Sequence, residues 1–158
     1  MRRRALLRAT ALLGGAAFAP RAAEARDYTS AAEVLDTIDR LSAAVDAALS
    51  AIVNAVPGAQ AFAASVRADH VRERADRDAI RARLRLPPSS PGAPAAPVPA
   101  SLEALRTTQQ ELVHAHAEGL PALHDAAAVQ VLARHMVEAA RRLTVIDLWI
   151  GLESERAG

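Results

Sequence analysis

Between Ala59 and Leu86 apolar residues recur with the 3.6-residue period of an amphipathic helix, and a carboxylate falls inside the apolar stripe. Phe62, Val66, Ile80 and Leu84 define the stripe, Glu73 lies at its centre, and His70 and Arg77 lie at its edge. A carboxylate in that position has to be paired, protonated or metal-bound, because an isolated buried charge costs more than one helix recovers. Other elements must therefore pack on this helix and answer Glu73, which restricts the chain to folds with a polar layer inside the core.

The neighbouring segments read as further helices. Ser30 and Glu33 have the Ser-x-x-Glu spacing of a capping box, and Val34, Ile38, Leu41, Val45, Ile52 and Val56 form an unbroken aliphatic seam behind it. Asp36, Asp39, Arg40 and Asp46 take the opposite side. Pro57-Gly58 ends this first helix, and so short a break makes the second its antiparallel neighbour. Outside its stripe the second helix alternates arginine with aspartate, and Arg72 with Asp76 and Arg74 with Asp78 have the i,i+4 spacing of surface ion pairs on a solvated face.

Residues 87–100 form a linker carrying Pro87, Pro88, Pro91, Pro94, Pro97 and Pro99. In polyproline II, at about 3.1 Å per residue, it reaches roughly 43 Å. The second helix is about 42 Å long at 1.5 Å per residue. The linker can therefore return along the whole bundle, which predicts a long crossover and a third helix parallel to the second. That third helix follows Ser101 with a seam of Leu102, Leu105, Gln109, Leu112, His116 and Leu120, so two more polar groups fall on an apolar stripe. Gly119 and Pro121 interrupt it, and Asp125 is placed to cap a fourth helix with the seam Val129, Leu132, Met136, Leu143, Ile146 and Ile150. The far end of this helix carries an additional apolar stripe, Val145, Leu148, Trp149 and Leu152, that needs a cover. Ten residues interrupted by Asp147 and followed by Glu153 and Glu155 are too short and too acidic for a bilayer, so a homodimer or an envelope protein partner centred on Trp149 is expected.

The N-terminus reads as a processing signal. Arg2, Arg3, Arg4, Leu6, Leu7 and Arg8 resemble the twin-arginine export motif, in which Arg3 and Arg4 form the arginine pair. An apolar segment and the small-x-small site Ala23-Glu24-Ala25 follow, so residues 1–25 are expected to be removed and 26–158 to form the bundle in the periplasm. Processing would take away five arginines and one glutamate and change the net charge from +1 to −3, which leaves no electrostatic case for nucleic acid. No stable membrane span is expected after processing. The absence of Cys excludes thiol chemistry, Fe–S clusters and structural Cys-zinc sites. No Gly-x-Ser-x-Gly and no Gly-rich phosphate loop occurs, so nothing points to a hydrolase or another enzyme.

Two hairpins joined by one long crossover, behind an export signal, resemble the exported bacterial ferritin-like domain proteins. The resemblance implies an all-α, ferritin-like four-helix bundle, in which a di-metal site takes one Glu from each of two helices and Glu-x-x-His from the other two. Here the first helix offers no inward carboxylate, and the second and fourth carry the order reversed, His70-x-x-Glu73 and His135-x-x-Glu138. Glu111-x-x-His114 has the forward order but faces away from its leucine seam. The reading preferred is a hydrogen-bonded polar layer of His70, Glu73, Arg77, Gln109 and His116, with Arg77 as the counter-charge of Glu73 and no cofactor. The alternative is a transition metal (Fe, Zn or Cu) held by Glu73, His70 and His116, with Glu111, His114, His135 and Glu138 as secondary candidates. The corresponding functions are a non-catalytic binding or structural module of the cell envelope and a metal-binding oxidase or storage protein.

Overall fold

The computed structural model describes residues 28–89 and 99–157, and every regular element among them is helical. The signal segment 1–25 and linker residues 90–98 lie outside the described residues. The helices are α1 (Ala31–Ile52), α2 (Ala59–Leu84), α3 (Leu102–Gly119) and α4 (Ala126–Ala157), with a 3-10 turn, Leu120–Ala122, before α4.

The helix starts follow their capping residues. Ser30 Oγ accepts the Glu33 N–H at 3.2 Å, while the Glu33 carboxylate reaches one residue further back than a capping box requires, to the N–H and hydroxyl of Thr29 at 3.0 and 2.9 Å. Ser101 Oγ takes the Ala104 N–H, and Asp125 Oδ1 takes that of Ala128. Gly58 sits at φ +83°, the left-handed conformation that turns the chain from α1 into α2.

Contacts between named residues fix the helix directions. Arg67 meets Ser50, His70 meets Asp46 and Arg81 meets Asp36, so α1 and α2 are antiparallel. Phe62 meets Trp149, Glu73 meets Arg142 and Arg83 meets Asp125, so α2 and α4 are antiparallel. Arg106 bonds Asp147 and Gln109 bonds the Ala139 carbonyl, which sets α3 against α4 in the same sense. Gly119 lies against Val34, bringing the end of α3 to the start of α1. Each of α2 and α3 packs on both α1 and α4, so they occupy opposite corners of the bundle and run in the same direction.

The helices contribute unequally to the core. Along α1, Val34, Leu35, Ile38, Leu41, Val45, Leu49 and Ile52 are all buried. In α2 the only large aliphatic side chains buried are Val66 and Ile80, and the inner face between them is His70, Glu73 and Arg77. The inward face of α4 also differs from the aliphatic seam expected for it. It runs through Ala128, Leu132, His135, Ala139, Arg142 and Ile146, while Val129, Met136, Leu143 and Ile150 are only half-buried at its flanks. Ala128 and Ala139 share this face with four larger side chains.

Between α1 and α3, a close approach depends on Gly119. A Cβ there would overlap Val34 Cγ1 and stand 3.2 Å from Val34 Cγ2, and Val34 is itself fully buried. Gly119→Ala should therefore destabilise the bundle by about 1–3 kcal/mol through overpacking, although alanine is the better helix former. Pairing it with Val34→Ala should restore part of the loss in urea unfolding. A Gly119→Ala variant at least as stable as the parent would show that the two helices can separate freely there.

Candidate functional site

At mid-height the bundle holds a layer of buried polar side chains drawn from all four helices. His70, Glu73, Arg77, Gln109 and His116 are all buried, with Arg77 only 1% and Glu73 6% exposed. Arg81, His135 and Arg142, which the aliphatic seams did not reveal, are buried with them. The helical period explains the spacing. On α2 the buried positions Val66, His70, Glu73, Arg77 and Ile80 alternate steps of four and three, and His135, Ala139, Arg142 and Ile146 do the same on α4.

The pairing within the layer differs from the expected one. The direct partner of Glu73 is Arg142 of α4, whose Nη2 donates to Glu73 Oε1 at 2.6 Å and to Asp69 Oδ2 at 3.2 Å. Arg77 stands 4.0 Å from Glu73 Oε2 and spends its Nε–H on Asp39 Oδ1 at 2.7 Å. Asp39 thus corrects the reading of α1 as a helix without an inward carboxylate, since its side chain is 11% exposed. Arg81 corrects the reading of the outer α2 face as wholly solvated, because its Nη2 donates to Asp36 at 2.7 Å and Asp39 at 3.2 Å. The i,i+4 pair expected between Arg72 and Asp76 is replaced by others: Arg72 pairs with Asp69, and Asp76 accepts from Arg134 and His135 of α4.

Burial pushes the Glu73 carboxyl up, but the hydrogen bond and charge of Arg142 outweigh it and hold the group below its ordinary value. His116 behaves differently. Its Nδ1–H donates to the Leu112 carbonyl at 2.8 Å, which leaves Nε2 without a proton, and burial lowers its pKa to about 4 despite that bond. His135 lies edge-on to His116, with ring centroids 6.3 Å apart, and donates its Nε2–H to Asp76 Oδ2 at 3.0 Å. Burial lowers its pKa too, against the Asp76 hydrogen bond. His70 is anchored in the same way, through Nδ1 to Asp46 at 2.9 Å. Gln109 gives its amide to the Ala139 carbonyl at 2.8 Å instead of completing the Glu73 pair.

Each of these three histidines therefore has one ring nitrogen held by an acceptor and the other without a protein partner. Among the described residues, no group of three or more His, Asp and Glu side chains is arranged to hold a metal ion. The structure brings His70, Glu73 and His116 into one layer, but places two guanidinium groups, Arg77 and Arg142, beside them. Of the secondary candidates His135 alone is buried in the layer. Glu111 is exposed, His114 is half-buried and lines a groove with Met136 and Ala140 of α4, and Glu138 pairs with Arg141 at 2.6 Å.

Alongside the layer the α2–α4 seam widens into a cleft of about 560 Å³, with Glu73, His135 and Arg142 contributing to its lining. At the far end of α4, Trp149 is half-buried with its ring edge-on to Phe62 of α2, centroids 5.0 Å apart. The chain's own second helix thus covers one side of the residue on which a homodimer or envelope partner contact is expected to centre. Val145 is half-buried as well, and Leu148 and Leu152 stay 62% and 49% exposed. Among the described residues no helix is long and apolar enough to cross a membrane. Compared with protein-family models, with curated proteins and with solved structures, the chain matches none.

Proposed function

We propose that this chain is an exported, ferritin-like four-helix bundle that acts in the cell envelope as a non-catalytic binding or structural module. The observation that carries the reading is the pairing of Asp39 with Arg77 and of Glu73 with Arg142 at mid-height. A bundle of this type would hold its metals there, and here two permanent cations already neutralise the inward carboxylates. The common direction of α2 and α3 supports a Pro-rich crossover between them, because a chain leaving the end of α2 has to travel back along the bundle to begin α3. The twin-arginine motif supports export through the twin-arginine pathway, and Leu148 with Leu152 are the residues we assign to a contact with a second copy or an envelope partner.

One observation favours a second reading as a metal-binding protein. His70, His116 and His135 have the anchoring of ligand histidines, in which an acceptor fixes the outer ring nitrogen. Expression of the full chain without a tag, cell fractionation and elemental analysis decide between the two. The first reading expects periplasmic protein with iron, zinc and copper far below one per chain. Near-stoichiometric metal would select the second, and protein retained in the cytoplasm would remove the envelope from both.

A further inference from the structure

Four large apolar side chains are exposed among the described residues, and three of them, Val137, Leu148 and Leu152, are on α4. Eleven positions separate Val137 from Leu148 and four separate Leu148 from Leu152, so at about 100° per residue the three fall within an arc of roughly 60°. That arc points away from the buried positions Leu132, His135, Ala139, Arg142 and Ile146. Residues 151–156 prolong the helix with every position exposed. They run past the level at which α3 begins, since Arg106 in the second turn of α3 already meets Asp147.

Charge is distributed unevenly along the same face. Arg134 and Arg141, 63% and 70% exposed, lie on either side of Val137, whereas the exposed Glu155 lies beyond Leu152. A second copy laid antiparallel reads this order backwards. A two-fold axis midway between Thr144 and Val145 sets Val137 opposite Leu152 of the other copy, and the same axis sets Arg134 opposite Glu155 and Arg141 opposite Leu148. One centre thus matches apolar with apolar and cation with anion, and each match is made twice. Arg141 directs its guanidinium to Glu138, which leaves its aliphatic stem to cover Leu148. In a parallel pair, Arg134 would face Arg134 and Glu155 would face Glu155. A face that is complementary to itself about one point fits another copy of the same chain, and an unrelated partner would impose no such relation on the spacing.

We propose that the chain forms an antiparallel homodimer through this face of α4, with Val137, Leu148 and Leu152 as its apolar centre and an Arg134–Glu155 contact at each end. The proposal rests on the assignment of Leu148 and Leu152 to a contact and narrows that assignment to a second copy. Trp149 stays within its own subunit, against Phe62. Neither export nor metal enters the argument.

Sedimentation velocity of the full chain over a range of concentrations, at neutral pH and low salt, measures the association. The unmodified chain should form dimers, and Leu148→Asp should leave monomers of unchanged helix content. Arg134→Glu and Glu155→Arg, each alone, should weaken the dimer at least roughly tenfold, because each sets like charges opposite one another at both ends. Combined in one chain they should restore it, since every contact is then made with the charges exchanged. The sequence has no cysteine, so the register can be read by introducing one. A mixture of Val137→Cys and Leu152→Cys chains should form disulfide-linked dimers on oxidation, and neither chain should do so alone, because like positions lie roughly 22 Å apart in this arrangement. A monomer at every concentration would overturn the proposal, as would a dimer that survives Leu148→Asp or a charge exchange that fails to restore association. Those outcomes leave the envelope reading standing, because it is decided by where the chain is found in the cell.

Discussion

Arg142→Ala should lower the unfolding free energy by about 3–5 kcal/mol, the loss typical when one member of a buried ion pair is removed and the other is left in place. The reason lies in what remains. Glu73 would keep only Arg77, at 4.0 Å, and Arg77 is already bonded to Asp39. The side chains of Arg142 and Glu73 are 7% and 8% exposed, so the carboxylate relies on this donor far more than on water. Arg141→Ala, one position earlier, removes an arginine whose side chain is 70% exposed and pairs with Glu138, and should cost under about 1 kcal/mol. The double variant Glu73→Leu with Arg142→Leu should recover most of the loss or exceed the parent, because it removes the charges as well as their attraction. Urea unfolding of the four proteins measures all of this. Equal stabilities for Arg142→Ala and Arg141→Ala would mean that Glu73 finds its counter-charge elsewhere.

Acid should weaken the bundle well before its carboxylates titrate. His116 has a folded-state pKa of about 4 against an ordinary value of 6.5, so the unfolded chain binds the extra proton between those values. Stability attributable to this group is complete above about pH 6.5 and falls as the pH drops towards 4. The total is roughly 3 kcal/mol at 1.36 kcal/mol per pH unit. His135 acts in the same direction. Glu73 and Asp76 are held low in the folded state, so their contribution begins to disappear only below about pH 4.5, where the unfolded carboxylates take up protons. The window from pH 6.5 to 4.5 therefore belongs to the histidines. Unfolding free energies measured across it should slope with pH in the parent and flatten markedly in His116→Gln. An unchanged slope in that variant would show that the buried imidazole is not the group responsible.

Much of this architecture can be read from local signals. Ser30, Ser101 and Asp125 start their helices because a cap needs only a short polar side chain at the right place, and that information sits within three or four residues. The same holds for Gln109 and His116, which lie on leucine stripes and are fully buried. Partner identity is a different matter. Arg77 is four residues from Glu73, and the sequence makes them a pair, yet the bonds go to Asp39 and Arg142 on other helices. Which arginine meets which carboxylate depends on the rotation and offset of two helices, and no local spacing encodes either.

Arg142 is hard to recognise in the sequence for a second reason. Its face of α4 includes Ala128, His135 and Ala139, and a reading weighted towards apolar bulk prefers Val129, Met136, Leu143 and Ile150. Those residues are only half-buried, on the shoulders of the buried face. A signal was present nonetheless, since Ala128, Leu132, His135, Ala139, Arg142 and Ile146 repeat with the helical period once alanine is allowed to count as an inward residue.

The layer of charges also determines how the chain distinguishes its own correct assembly from near misses. An aliphatic seam such as that of α1 repeats similar residues every turn, so sliding a partner by one turn, about 5.4 Å, meets much the same surface. The charged face of α2 has no such symmetry. Displaced by one turn in one direction, Arg77 would take the place of Glu73 opposite Arg142, and in the other Glu73 would take that of Arg77 opposite Asp39, so either slip sets like charges together. In this bundle the aliphatic helices supply cohesion, and α2 works as the notched key whose cuts must all align before the lock turns.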